Sequence, residues 1–224
     1  MDASASDTIT SSGGAVSQWD DLSGNDNHAT QGTGSDQPVT DSDVLNNLNA
    51  ISFTSDYFNF TPTISSVKSL IFVADKLNGS DISAELSPIV GEVTTSQNHT
   101  FVRTNTDDYD ISIDGSISNT GNASVNGGSL VSGGNIDVGI SQSEKDDANI
   151  WYVDYDSAVN VNYLGLLATS NTYKLIGSIS EVVLLDSVPT TSDRQKIEGY
   201  LAHKWGLEGN LPSDHPYKTQ KPTV

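Results

Sequence analysis

Three short stretches crowd oxygen-bearing side chains closely enough to do chemistry. Asp20, Asp21, Asn25 and Asp26 share one turn, Asp107, Asp108 and Asp110 a second, and Glu144, Asp146 and Asp147 a third. Carboxylates packed this way repel one another unless a cation or solvent relieves them. The cation suited to such sets is calcium, a hard ion that takes oxygen ligands. Each cluster reads either as a calcium site or as a solvated loop, and none follows the EF-hand spacing. His28, beside the first cluster, reads as a hydrogen-bonding brace of the turn in preference to a ligand.

Sugar binding needs aromatic platforms beside polar groups. Tyr57, Tyr109 and Tyr155 are the candidates, whereas Trp19, Trp151 and Trp205 are assigned to the core. Glycoside hydrolysis needs an acid and a nucleophile across one bond. Two carboxylates two residues apart on a strand would share a face and supply them. Asp154-Tyr155-Asp156 has that spacing but no Glu partner, and four scattered histidines offer no Ser-His-Asp arrangement. No catalytic residue is assigned, and the chain is expected not to be an enzyme.

Composition narrows the partners. The 224 residues hold 29 acidic and 10 basic side chains, a formal charge of −19. Phosphate backbones and anionic membrane surfaces would be repelled. Without cysteine there is neither a disulfide nor a thiolate metal site. No apolar run is long enough for a transmembrane helix, and no signal-peptide pattern is present. Met1-Asp2-Ala3-Ser4 reads as a start placed on a domain cut from a longer chain. One domain spanning 1–224 is expected, because linker composition and repeats are both missing.

The elements that must position these residues are mostly strands. Val16–Trp19, Ile51–Phe53, Tyr57–Phe60, Phe101–Val102, Tyr109–Ile113, Ile136–Ile140, Ile150–Tyr155, Val159–Tyr163 and Ile179–Leu185 read as short strands between Gly-, Asn- and Ser-rich turns. Ser69–Ala74 is a continuous apolar run, as in a strand covered on both faces. Residues 2–15 carry little to bury, and 32–49 and 75–88 read as polar connections. One helix is predicted over about 192–205, with Ser192 as N-cap, Gln195 closing a capping box and Gly206 as a left-handed C-cap. Its apolar face is Ile197, Tyr200, Leu201 and Trp205. Many short strands and one late helix indicate an all-β sandwich or barrel.

Two stretches carry a resemblance. Gln18-Trp19-Asp20-Asp21-Leu22-Ser23-Gly24-Asn25-Asp26-Asn27-His28-Ala29-Thr30-Gln31 resembles the opening motif of bacterial laminin-G-like, concanavalin-A-like jelly-roll domains. Ile179–Leu185 followed by Asp193–Leu207, with Leu211-Pro212 and His215-Pro216-Tyr217, resembles the same family's closing strand and helix. The resemblance implies a two-sheet antiparallel jelly-roll sandwich with one C-terminal helix. It also implies an extracellular module of a bacterial cell-surface adhesin, of the kind found in calcium-dependent repeat (RTX-type) adhesins. Two roles then stand open. The first is a structural scaffold, stabilised by calcium, that presents an adjacent or inserted ligand-binding domain. The second is a lectin-like module that binds cell-surface glycan; a glycan-cleaving enzyme is the remote third. The expected partners are neighbouring adhesin domains and glycan, with no nucleic acid, no membrane insertion and a monomeric chain.

Overall fold

The computed structural model describes residues 1–79, 86–92, 98–104, 109–112, 121–132, 135–137, 147–166 and 174–223. Fourteen strands follow in chain order: β1 (Ile9–Ser12), β2 (Ala15–Trp19), β3 (Ala29–Thr30), β4 (Val39–Leu45), β5 (Leu48–Asp56), β6 (Phe58–Gly79) and β7 (Leu86–Gly91). After these come β8 (Asn98–Thr104), β9 (Tyr109–Ser112), β10 (Asn122–Val125), β11 (Val131–Ser132), β12 (Asn135–Asp137), β13 (Asn149–Leu164) and β14 (Leu175–Leu185), then the helix α1 (Thr191–Trp205).

The described pairings are antiparallel and join the strands into one sheet. The path β2-β4-β5-β14-β6 turns back on itself, because β3 pairs with both β6 and β2. The sheet therefore closes into a barrel. The mainly β content and the one α-helix among the described residues match the sequence expectation, but the strands pair as one closed sheet where two separate sheets were expected. The physical reason is the reach of β6, whose later residues pair with β14 while its first residues pair with β3, so that one long strand carries the pairing around the barrel.

The Ser69–Ala74 run lies at the centre, buried on both faces as expected. Leu70, Phe72 and Ala74 point into the barrel, where Trp151, Val153 and Tyr155 of β13 and Trp19 of β2 join them. The Phe72 and Trp151 rings stack with centroids 6.0 Å apart. Ile71 and Val73 point the other way, with Ile150 and Tyr152, and meet Leu201, Ala202 and Trp205 of α1. Alternation along two neighbouring strands thus builds two cores, one inside the barrel and one beneath the helix.

The helix starts before its expected position. Thr190 is the N-cap, its hydroxyl oxygen accepting from the Asp193 N–H at 3.2 Å and its hydroxyl donating to the Asp193 carboxylate at 2.7 Å. This reciprocal pairing does what was expected of Ser192 and Gln195. Gly206 ends the helix at φ 72°, as expected. The Asn46 amide donates to the Lys204 carbonyl at 2.8 Å, so the β4–β5 hairpin braces the last turn. Sequence reading placed 32–49 in a polar connection; β4 escaped notice because its residues do not alternate in polarity. β1 lies likewise in the stretch 2–15 read as carrying little to bury, and β10 and β11 fall outside every expected strand.

The buried face of α1 also differs from the expected one. Leu201 and Trp205 are buried and Ile197 partly so, but Tyr200 is 43% exposed. Arg194 and Glu198 take its place, at 7% and 0% exposure. Arg194 Nη1 donates to Glu198 Oε1 at 2.9 Å and to Ser124 Oγ at 3.1 Å, and its guanidinium lies over the Tyr152 ring. Tyr152 donates to Asp154 at 2.8 Å, and Asp154 accepts from the Asn122 N–H at 2.9 Å. Burial, and then the Asp154 hydrogen bond, push the Tyr152 hydroxyl well above its ordinary range. On its other side Glu198 meets His215 Nε2 at 3.3 Å. The tail continues over Gly199, where a Cβ would run into Tyr217.

Removing one member of a buried ion pair leaves the other charge without compensation. Glu198→Ala is expected to cost about 3–5 kcal/mol in urea unfolding. The double variant Arg194→Met, Glu198→Leu removes both charges and is expected to recover most of that loss. Equal losses in the single and double variants would show that the pair does not act as a unit.

Candidate functional site

The residues around 20–28 and the outer edge of α1 enclose a cleft of about 390 Å3. Asp21, Leu22, Asn25 and Asn27 form one wall, Tyr200 the other, and Val182, Val183 and Leu184 of β14 lie between them. The turn is built by hydrogen bonding within its own segment, and the Tyr200 wall by bonds from the helix to β14.

The turn is held from inside. Asp21 Oδ1 accepts from the Ser23 N–H at 2.9 Å, and Oδ2 accepts from the Ser23 hydroxyl at 2.7 Å and the Asn27 N–H at 3.1 Å. Partial burial raises the pKa of the Asp21 carboxyl, but the bonds from Ser23 and Asn27 outweigh it and hold the group below its ordinary value. His28 Nδ1 accepts from the Asp21 N–H at 3.1 Å, the bracing role expected of it. Gln18 donates to Asp20 Oδ1 at 2.7 Å. Gly24 and Asp26 adopt left-handed φ values of 84° and 56°, as the tightness of the turn requires.

Glu181 anchors the Tyr200 wall. It is 6% exposed and is the one charged side chain of β14. Trp205 Nε1 and Lys204 Nζ donate to its Oε2 at 2.8 and 2.7 Å, and the Tyr200 hydroxyl donates to Oε1 at 3.2 Å. Lys204 also pairs with Asp2. Burial works against the Lys204 charge, but the hydrogen bonds to Asp2 and Glu181 overcome it and keep the ammonium above its usual range. Tyr200 is therefore fixed at its hydroxyl while its ring faces the cleft.

One of the three acidic sets lies wholly within the described residues. Asp20, Asp21, Asn25 and Asp26 share the turn. Asp107, Asp108, Glu144 and Asp146 lie outside the described residues. Asp110 is placed by its backbone in β9, opposite Asp137 of β12, and Asp147 is exposed just before β13. Among the described residues no group of three or more His, Asp or Glu side chains converges as a metal-binding set. No helix among them is long and apolar enough to cross a membrane.

The three tyrosines fare differently. Tyr155 is 1% exposed within the barrel core, so it is corrected from ligand candidate to core residue; its odd-numbered neighbours on β13 take it inward. Tyr109 is placed by its backbone in β9. Tyr57 is half-buried, with the Tyr163 ring edge-on at 5.8 Å and Lys174 over its ring. Asp154 and Asp156 do not act as a pair, since Asp154 is buried in the Tyr152–Asn122 network and Asp156 is exposed. The residues that sequence reasoning missed are Glu181, Lys204 and Tyr200. The available signal was a lone Glu inside the apolar run Ile179–Leu185.

Compared with known proteins, the chain matches no family model, no curated protein and no solved structure.

Asp21→Ala removes three hydrogen bonds to a carboxylate and is expected to lower stability by about 1–2 kcal/mol at neutral pH, discounted for partial exposure. For a chain of this length that is a fall in Tm of roughly 2–8 °C. A carboxyl with a depressed folded-state pKa stabilises above its unfolded-state pKa, about 3.9, and that contribution is lost as pH falls through the folded value. The difference in Tm between wild type and Asp21→Ala is therefore expected to shrink below about pH 4. A pH-independent difference would show that the carboxylate charge plays no part.

Proposed function

We propose that this chain is a non-catalytic extracellular module of a bacterial surface adhesin, serving as a scaffold for an adjacent or inserted ligand-binding domain. The observation that carries this reading is how the charged side chains on the helix side of the sheet are used. Arg194, Glu198 and His215 form one internal clamp, and Glu181, Lys204 and Asp2 form another. Both fasten the helix and its flanking segments to the sheet, which is how a load-bearing module differs from one that reserves its charges for a substrate. Asp2 pairs with Lys204, and Lys221 and Lys204 line one groove, so residues from both the leading and trailing segments meet the same helix. The laminin-G-like resemblance supports the extracellular setting. The finer jelly-roll reading is supported by the bends in β6 and β13, which can fold a closed sheet into two facing layers.

The proposal includes calcium, supported by the crowding of Asp20 and Asp26 on the turn and by the acidic stretches at 107–110 and 144–147. A ligand bound only by the native state at about 100 times its dissociation constant adds roughly 2.7 kcal/mol. Thermal unfolding is expected to move up by several degrees in millimolar calcium relative to chelator. No shift at matched ionic strength would remove calcium from the reading.

The lectin reading is favoured by one feature, the cleft in which an exposed Tyr200 ring faces Asn25, Asn27 and Asp21. A glycan array separates the two roles. The scaffold gives no signal on the array, whereas a lectin gives one that Tyr200→Ala abolishes without lowering the Tm by more than a few degrees.

A further inference from the structure

Tyr200 is a ridge between two concavities. On one side is the cleft walled by the acidic turn. On the other is a groove of about 610 Å3 between α1 and the chain's tail, lined by Ile197, partly buried at the helix edge, and Pro222. Lys196, Lys204 and Lys221 also line this groove; Lys204 is already paired with Glu181 and Asp2, and Lys196 lies 3.5 Å from Asp193, so the charge open to a partner is that of Lys221 and the exposed Lys196. The opposite shape sits across the ridge. Leu22 is 55% exposed at the tip of the turn, and the Asp26 side chain beside it is 91% exposed. The turn is an apolar knob with an acidic collar, and the groove is an apolar socket with a basic rim.

Charge is segregated along the chain in the same sense. Residues 190–224 hold five of the ten basic side chains and four of the 29 acidic ones, a formal +1 against −20 for the remainder. The helix and tail therefore repel an acidic surface far less than the rest of the chain does. Leu22 and Tyr200 are also two of the few large apolar side chains left exposed among the described residues.

We propose that the groove receives the Leu22 turn of a second copy of this chain. Knob and groove flank the same Tyr200, so a two-fold axis near that residue lets each copy fill the other's groove at once. Leu22 would enter between Ile197 and Pro222, with Asp21 and Asp26 facing Lys196 and Lys221. The turn meets its partner already rigid, because Asp21 and His28 hold it closed, so little ordering cost falls on association. The net charge of each copy opposes the contact at long range, while the complementary collar and rim favour it at close range. This goes beyond the scaffold role and replaces the monomer expected from the sequence with a homodimer.

Sedimentation equilibrium up to roughly 100 µM, a range in which an interface of modest size shows itself, is expected to give a species of twice the 23.7 kDa chain mass. Leu22→Asp and Ile197→Asp are each expected to weaken the dimer by at least about tenfold. Leu22→Asp, at an exposed position, is expected to leave the thermal unfolding curve in place. The cysteine-free sequence permits a direct check of the contact. The double variant Leu22→Cys, Ile197→Cys is expected to form an intermolecular disulfide under mild oxidation. A control pairing Leu22→Cys with Ser132→Cys, on β11, is expected to do so far more slowly. Monomer throughout the concentration range, or equal cross-linking in the two cysteine variants, would overturn the proposal. Continuous growth into larger species would overturn the two-fold arrangement, since it signals a head-to-tail contact that does not close.

Discussion

Placing a full ion pair between the helix and the sheet sets a condition on everything around it. Arg194 and Glu198 leave water almost completely, and their mutual attraction alone does not offset that loss. The remainder has to come from Ser124 on β10, the Tyr152 ring on β13 and His215 in the tail. Three segments distant in sequence must therefore be in place before the helix can seat. Apolar burial by Leu201, Ala202 and Trp205 drives the helix onto the sheet. The polar network decides at which rotation and at which height it stops.

The second clamp acts at the other end of the helix. Glu181 gathers Tyr200, Lys204 and Trp205 onto one carboxylate, and Lys204 reaches on to Asp2. Because Trp205 is both buried and hydrogen-bonded there, its ring cannot slide along the sheet without breaking a buried bond. Two clamps on one helix fix its axis and its roll. The exposed Tyr200 ring inherits its position from buried atoms, and so does the cleft it borders. An exposed ring is in this way tied to the same buried carboxylate that seats the helix.

How much of this could be read from the sequence depended on what kind of signal each element carries. The Ser69–Ala74 run announced a strand buried on both faces, and the structure places it between the two cores. Gly206 announced the end of the helix, since its left-handed backbone suits glycine. The start was misread because Thr190, Ser192 and Asp193 are all capable cap residues and only tertiary packing selects among them. The buried helix face was misassigned at Tyr200 because hydrophobic periodicity counts apolar side chains and cannot see an arginine and a glutamate that satisfy each other. Closure of the sheet was illegible for a different reason. It depends on β3, a strand too short to show any pattern. In the acidic turn the sequence pointed to the bracing role of His28, but the bonds Asp21 makes within the turn emerge only from the folded chain.

That short strand has a consequence for how the molecule breathes. Ala29 and Thr30 pair with Trp19 and Gln18 on one side and with Phe60 and Asn59 on the other, and beyond the β2–β4 contact at Ala15 and Val39 they are what closes the ring. A seam of two residues is the cheapest place for such a ring to part, so amide exchange there would report a partial opening at far lower energy than global unfolding. The acidic turn runs directly into this seam, from Asp20 to His28. Whatever stiffens or loosens that turn would therefore set the rate at which the barrel samples an open, sheet-like form, turning a surface loop into the governor of the interior's exposure to water.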